Sequence, residues 1–133
     1  MKEARCQCGR VTATVTGEPV GVVVCHCLDC QRRSGSVFGI GAYYPAQNVQ
    51  ISGPTTHFTR PTDIGNTFHE DFCPVCGTTL YWSSDKNPGM IGIAVGAFGD
   101  PHFAAPARSV WEQSCHDWLA LPTNIEHFEK GRA

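Results

Sequence analysis

The segments that decide the fold are Cys6-Gln7-Cys8-Gly9, Cys25-His26-Cys27-Leu28-Asp29-Cys30 and Cys73-Pro74-Val75-Cys76-Gly77, which hold seven of the eight cysteines in this chain of 133 residues. A tetrahedral zinc with Zn–S bonds of about 2.3 Å needs its sulfur atoms about 3.8 Å apart. A Cys-x-Cys spacing meets that requirement on an extended strand, where side chains two positions apart share a face, and Cys-x-x-Cys meets it on a tight turn. The three segments therefore predict clusters of metal-binding thiolates.

Glycines divide the seven clustered cysteines into two groups. Gly9 and Gly77 each follow a cysteine pair directly, and glycine readily takes the left-handed conformation that such turns favour. Joined, these two pairs make a closed four-thiolate site of the structural type; its members are Cys6, Cys8, Cys73 and Cys76. Three thiolates remain, Cys25, Cys27 and Cys30, and three protein ligands with one open position are typical of a catalytic zinc. Spacing alone also allows Cys6 and Cys8 to complete the middle group.

Disulfide bonds and an iron–sulfur cluster are the other roles that clustered cysteines can have. The segment Met1–Cys6 lacks the apolar core of a signal peptide, so we expect reduced thiols and a cytoplasmic location. Cysteines two apart on a strand are also poorly placed for a disulfide. The middle segment has three cysteines and not four, which favours zinc over an iron–sulfur cluster.

Two further residues, Cys115 and His26, could belong to a metal site or lie outside it. Cys115 has no second cysteine nearby and is expected to be a lone buried thiol, the alternative being a fourth ligand that closes the group of three. His26 lies between two predicted ligands, so on an extended strand it should face away from the metal and have a packing or supporting role.

Length and composition predict one domain over residues 1–133, with a core from about residue 5 to 121 and a polar tail at 124–133. A net charge of −2 provides no positive field for nucleic acid, and no apolar run approaches the roughly 20 residues that span a membrane. We therefore expect neither nucleic acid nor a membrane as a partner.

Alternation of apolar and polar residues predicts an all-β fold. Strands are predicted over residues 11–16, 20–25, 38–44, 49–52, 79–82, 90–98 and 107–111, with a hairpin whose arms are 56–59 and 66–69. One short helical turn is predicted before Gly35. The glycines of the strand at 38–44 indicate close backbone approach. Trp82, Trp111 and Trp118 are expected in the core or in the wall of a cavity.

The three cysteine segments, in this order and with these flanks, resemble the glutathione-dependent formaldehyde-activating (GFA) family, whose domain also occurs in centromere protein V. The similarity extends from Cys6 to about Leu121 and includes further landmarks: Ser34-Gly35-Ser36, Phe38, Gly65-Asn66, Phe72, Thr78, Leu80-Tyr81, Asp100-Pro101 and Trp118. One departure is the segment Ser114-Cys115-His116-Asp117-Trp118, where the family often has a short Pro-Trp ending.

The resemblance implies a zinc-stabilised β-tent fold, similar to methionine-sulfoxide reductase B. It also implies a structural zinc on the group of four cysteines and a catalytic-type zinc on Cys25, Cys27 and Cys30. The activity it implies is that of a carbon–sulfur lyase of the S-hydroxymethylglutathione synthase type, which condenses formaldehyde with glutathione. The alternative function is a non-catalytic, zinc-stabilised binding or interaction module.

Two arginines follow the group of three cysteines. Arg32 and Arg33 are predicted to steady the negative charge of a three-thiolate zinc and to meet the carboxylates of a small thiol substrate such as glutathione. The competing interpretation is an exposed turn with solvated charges. Three thiolate donors make a soft metal site that holds sulfur better than it activates water, which argues against a zinc hydrolase.

Overall fold

The computed structural model describes residues 1–131, most of which lie in or between the strands of two sheets. The smaller sheet is antiparallel and contains, in spatial order, β1 (Lys2–Arg5), β2 (Thr12–Val15) and β5 (Val49–Ser52). The larger sheet contains, in spatial order, β11 (Glu126–His127), β10 (Arg108–Val110), β3 (Gly21–Cys25), β4 (Gly39–Pro45), β9 (Met90–Ala94), β8 (Thr79–Ser84), β7 (Thr67–Phe72) and β6 (Thr56–Pro61). Neighbours in it are antiparallel except β10, which runs parallel to β3 and β11.

Within the described residues one α-helix occurs, α1 (Leu28–Ser34). Cys27 caps its start, because the Cys27 sulfur accepts a hydrogen bond from the Cys30 backbone N–H at 3.3 Å. Gly35 ends the helix in the left-handed conformation, at φ 71°, which a residue with a Cβ adopts at a cost. Short 3₁₀ turns occupy Ala46–Asn48, Val95–Phe98 and Glu112–Ser114. The prediction of mostly β structure with one short helix is confirmed.

Three elements differ from the predicted pattern. The strand predicted over 90–98 ends at Ala94, and the rest is a 3₁₀ turn that Gly99 closes in the left-handed region. Strands β1 and β11 were not predicted, since neither Lys2–Arg5 nor Glu126–His127 alternates apolar and polar residues. Residues 126–130 of the predicted polar tail are hydrogen-bonded to the β10 region, for example from the Phe128 N–H to the Ser109 carbonyl at 2.9 Å. Residues 132–133 of that tail lie outside the described residues.

The core lies between the smaller sheet and one face of the larger sheet. It includes Ala13 and Val15 from β2 and Ala42 and Tyr44 from β4, all with no exposed surface. Alternation along β4 therefore directs Gly41 and Tyr43 to the opposite face of the larger sheet. That second face carries the cavity described below.

A β-bulge in the pairing of β7 with β8 changes which side chains of β8 point to each face of the larger sheet. Phe72 pairs with Thr79 while Asp71 pairs with Tyr81, so Leu80 is an extra residue on β8. A bulge of this kind shifts the alternation of the strand by one residue. Leu80 and Tyr81 both pack in the core, and Trp82 is free to line the cavity on the other face.

Across the described residues, no helix has the length and apolar character needed to cross a membrane.

Candidate metal centres

The two cysteine pairs of the first group lie on two turns. Cys6 follows β1 directly, and the Gly9 N–H donates to the Cys6 carbonyl at 3.0 Å. In the second pair the Gly77 N–H donates to the Cys73 carbonyl at 2.9 Å. Gly9 and Gly77 have φ values of 83° and 80°, so the predicted left-handed glycines are present in both turns. The Cys6–Cys8 pair lies on the turn that follows β1, and not on the extended strand that its spacing also allows.

The four sulfur atoms of this group lie within 4.8 Å of one another. The Cys6–Cys8 and Cys8–Cys73 sulfur distances are both 3.6 Å, close to the roughly 3.8 Å edge of a tetrahedral zinc site. Backbone N–H groups of Val11 and Val75 donate to the Cys6 and Cys73 sulfurs at 3.3 and 3.4 Å. Such donors stabilise thiolates, and the soft donor set fits zinc. This group could hold zinc.

The second group combines the end of a strand with the start of a helix. Cys25 is the last residue of β3, Cys27 is the N-cap of α1, and Cys30 is in the first turn of that helix. Their sulfur atoms also lie within 4.8 Å of one another. The structure thus brings the seven sulfurs together in the same two groups that the sequence predicts. Three soft donors arranged in this way could hold zinc with one position left to another ligand.

Negative charge in the second group concentrates on Cys27. Hydrogen bonds from the Cys25 thiol, and then from the Cys30 thiol, hold the pKa of Cys27 well below its ordinary value. The same hydrogen bond raises the pKa of Cys25, as does burial. Among the three sulfurs, Cys27 is therefore the one whose thiolate form is most favoured.

His26 and Cys115 lie beside the second group without joining it. His26 has no exposed surface, and its Nε2 is 3.0 Å from the Ser109 hydroxyl, which fits the packing role predicted for it. Within the described residues Cys115 belongs to neither sulfur group. It is partly exposed, so the expectation of a buried thiol is wrong. Cys115 directly follows the 3₁₀ turn Glu112–Ser114, which has no buried residue.

A cavity of about 670 Å³ lies beside the second group, on the face of the larger sheet opposite the core. Of the described cysteines, Cys25, Cys27 and Cys30 line it and the other five do not. Arg32 and Arg33 line it as well. The three-sulfur group therefore opens on a space large enough for a small molecule, whereas the four-sulfur group does not line this cavity.

Trp82 forms an aromatic wall of the cavity because two glycines make room for it. A Cβ on Gly92 would lie 2.3 Å from Trp82 Nε1, and a Cβ on Gly41 would lie 2.6 Å from Trp82 Cζ2. The indole thus lies against the backbone of β9 and β4, and its Nε1–H donates to the Tyr43 hydroxyl at 3.1 Å. The predicted close approach at the glycines of β4 is present.

The other tryptophans divide between the cavity and the surface. Trp111 lines the cavity and is, among the described residues, the non-glycine residue with positive φ, at 59°. Trp118 is 70% exposed, so its predicted place in the core or cavity wall is wrong.

Gln31 fixes the Trp111–Ser114 side of the cavity, since its amide donates to the carbonyls of His26 and Ser114 at 2.8 and 3.1 Å.

Three guanidinium groups supply positive charge to the cavity. Arg33 lies over the Trp82 ring at 4.0 Å. Arg32 precedes Arg33 in the last turn of α1 and lines the same cavity. Arg60, which the sequence does not predict as a site residue, also lines the cavity. It is 16% exposed and bridges Asp29 at 3.2 Å and Glu70 at 3.3 Å. No local signal could have identified Arg60, because only the pairing of distant strands brings β6 to this face.

Comparisons with known proteins bear on the family and the fold of this chain. The family model of the glutathione-dependent formaldehyde-activating enzyme matches residues 1–114. No curated protein matches the chain. A crystal structure of a Rhodobacter sphaeroides protein is similar in fold, with a TM-score of 0.59 and 23% identity, covering 74% of this chain and 91% of the other. Since the family match extends over both cysteine groups and the strands that carry them, the chain belongs to the glutathione-dependent formaldehyde-activating enzyme family.

Proposed function

We propose that the protein is a zinc-dependent carbon–sulfur lyase that forms and breaks the adduct of formaldehyde with glutathione or a related small thiol. The observation that carries this proposal is the opening of Cys25, Cys27 and Cys30 on the cavity. Cys6, Cys8, Cys73 and Cys76 would then hold a structural zinc, within a single β-tent domain of the methionine-sulfoxide reductase B type.

Zinc held by Cys25, Cys27 and Cys30 would supply a Lewis-acidic fourth position that favours the thiolate form of a bound thiol. The reaction itself is an addition. The thiol releases its proton to water, the sulfur forms a bond to the aldehyde carbon, the carbon–oxygen π pair moves to oxygen, and that oxygen takes a proton. The reverse reaction returns the proton and breaks the carbon–sulfur bond. No oxidant or reductant is required.

The cavity offers cations for the carboxylates of the thiol. Arg33 is held over Trp82 at 4.0 Å, so its guanidinium is positioned before a ligand arrives. Arg32 lines the same space, and Arg60 is held by Asp29 and Glu70. Because Arg60 already has two carboxylate partners, we assign substrate binding to Arg32 and Arg33 and a positioning role for α1 to Arg60, through its contact with Asp29.

Tyr43 is the proposed proton donor to the developing alkoxide. Its hydroxyl accepts a hydrogen bond from Trp82 at 3.1 Å, which leaves its own proton free to be donated into the cavity that it lines. Burial raises the pKa of Tyr43 above its ordinary value, so the hydroxyl is protonated at neutral pH. A fixed donor at the site of developing negative charge is an effective way to stabilise such a step.

NMR exchange spectroscopy tests this proposal, because it measures reaction rates at equilibrium. The condensation also proceeds without an enzyme, so the rate with protein must be compared with the rate without it. The protein should accelerate NMR exchange between glutathione, formaldehyde and S-hydroxymethylglutathione without shifting their ratio. Cys27→Ser should abolish the acceleration, while Cys115→Ala, a matched change of a cysteine outside both groups, should retain it. Equal exchange rates with and without wild-type protein would favour the alternative of a zinc-stabilised binding module.

A further inference from the structure

A row of four titratable side chains crosses β6, β7 and the end of β8, in the order Asp71, His57, His69, Asp85. Asp71 Oδ1 is 2.8 Å from His57 Nδ1, and Asp85 Oδ1 is 3.0 Å from His69 Nε2. Between the imidazoles, His57 Nε2 is 3.2 Å from His69 Nδ1. Arg60 on β6 lines the cavity, and alternation along the strand places His57 on the other face, so this row is separate from the cavity.

The hydrogen-bonding pattern of the row requires a positive charge, a proton or a metal ion, between the two histidines. Each carboxylate accepts from one imidazole, which fixes the N–H of His57 on Nδ1 and the N–H of His69 on Nε2. In neutral histidines the two remaining nitrogens, His57 Nε2 and His69 Nδ1, both carry lone pairs. Two lone pairs 3.2 Å apart repel each other unless a positive charge lies between them.

We propose that His57 and His69 bind a divalent transition-metal ion that prefers imidazole, such as zinc or nickel. Two nitrogens at the usual 2.0–2.1 Å from one metal are about 2.9 Å apart in an octahedral site and about 3.4 Å apart in a tetrahedral one. The observed 3.2 Å lies between these values. Metal-binding histidines characteristically donate their other N–H to a carboxylate, as both do here.

The sheet holds these ligands in register. β6 and β7 pair His57 with Asp71 and Thr59 with His69, so the two imidazoles are diagonal neighbours on one face. The Thr55 hydroxyl donates to the second oxygen of Asp71 at 2.6 Å, which fixes the carboxylate that orients His57. The side chains of His57 and His69 are 49% and 29% exposed. Solvent can therefore fill the remaining coordination positions.

The test uses nickel as the probe with untagged protein that holds two zinc equivalents, enough for the two cysteine groups and none for the histidine pair. Equilibrium dialysis followed by elemental analysis counts both metals, so exchange at the cysteines would appear as zinc release. Wild type and His102→Gln, a change of an exposed histidine on another part of the surface, should each take up one nickel with zinc retained. His57→Gln should take up none. Asp85→Ala, which removes an exposed supporting carboxylate, should weaken nickel binding about 10–100-fold.

Zinc content and cooperative melting of each variant show that it is folded, and His69→Gln replaces His57→Gln if the latter is not. Three results would overturn the proposal: no nickel on wild type, which would mean that the row shares only a proton; equal uptake by wild type and the folded histidine variants; or nickel uptake matched by zinc release.

Discussion

Replacing Gly92 with alanine tests how the aromatic wall of the cavity is built. Gly92 lies on β9 between Tyr43 and Trp82, its partners on the neighbouring strands. An added Cβ would meet Trp82 at 2.3 Å from Nε1 and 2.9 Å from Cδ1 and Cε2. The indole must therefore move, and its hydrogen bond to Tyr43 and its stacking on Arg33 depend on its position.

The magnitude follows from overpacking, which costs about 1–3 kcal/mol in a packed site. Replacing glycine with alanine also reduces the entropy of the unfolded chain, which stabilises by about 0.4–1 kcal/mol. Gly96→Ala is the matched control, because a Cβ there would meet nothing within 4 Å. Comparing the two variants cancels the unfolded-state contribution. A chain of this length has an unfolding entropy of about 0.28 kcal/mol/K, so the difference corresponds to about 4–11 °C in Tm.

The assay is differential scanning calorimetry of both variants, together with calorimetric titration of glutathione. Gly92→Ala should melt below Gly96→Ala by the amount given above and bind glutathione more weakly at unchanged zinc content. Equal melting temperatures, or unchanged glutathione binding in a destabilised Gly92→Ala, would refute the assignment of Trp82 as a wall that orders Arg33 and Tyr43.

Three other variants test the remaining assignments. Cys76→Ser should yield unfolded protein, since a structural zinc is worth roughly 10–16 kcal/mol in small domains and a typical domain is stable by only about 5–15 kcal/mol; a soluble variant with a cooperative melt would contradict this. Cys115→Ala should keep the zinc content of the parent, as metal analysis will show, whereas loss of one equivalent would identify Cys115 as a ligand. Tyr43→Phe should slow adduct exchange by about 10²-fold or more with glutathione affinity nearly unchanged; an unaltered NMR exchange rate would remove Tyr43 from the reaction.

Much of the sulfur arrangement could be predicted from the sequence because its determinants are local. Each predicted ligand has another within three positions, and the glycines after Cys8 and Cys76 indicate the left-handed turns that both pairs adopt. The same spacing did not reveal that Cys6 to Gly9 is a turn and not a strand. Either geometry brings two sulfurs to one side, so the spacing alone does not distinguish them.

The cavity could not be predicted because distant strands build it. Tyr43 and Arg60 reach it only through the order β4-β9-β8-β7-β6, which alternation along single strands does not determine. The extra residue Leu80 changes the face to which Trp82 belongs, and a bulge has no distinctive residue here. The left-handed backbone of Trp111 is likewise a tertiary effect, since tryptophan adopts that conformation only at a cost of roughly 1–3 kcal/mol.

The central claim is that Cys25, Cys27 and Cys30 hold an open zinc that a small thiol enters from the cavity. Calorimetric titration of zinc-loaded wild type and Cys27→Ser with glutathione tests it most directly, with elemental analysis of zinc on the same samples. We predict that wild type contains two zinc equivalents and binds one glutathione. Cys27→Ser should stay folded, retain one zinc and bind no glutathione. Absence of binding to zinc-loaded wild type, or unchanged binding to Cys27→Ser, would contradict the claim.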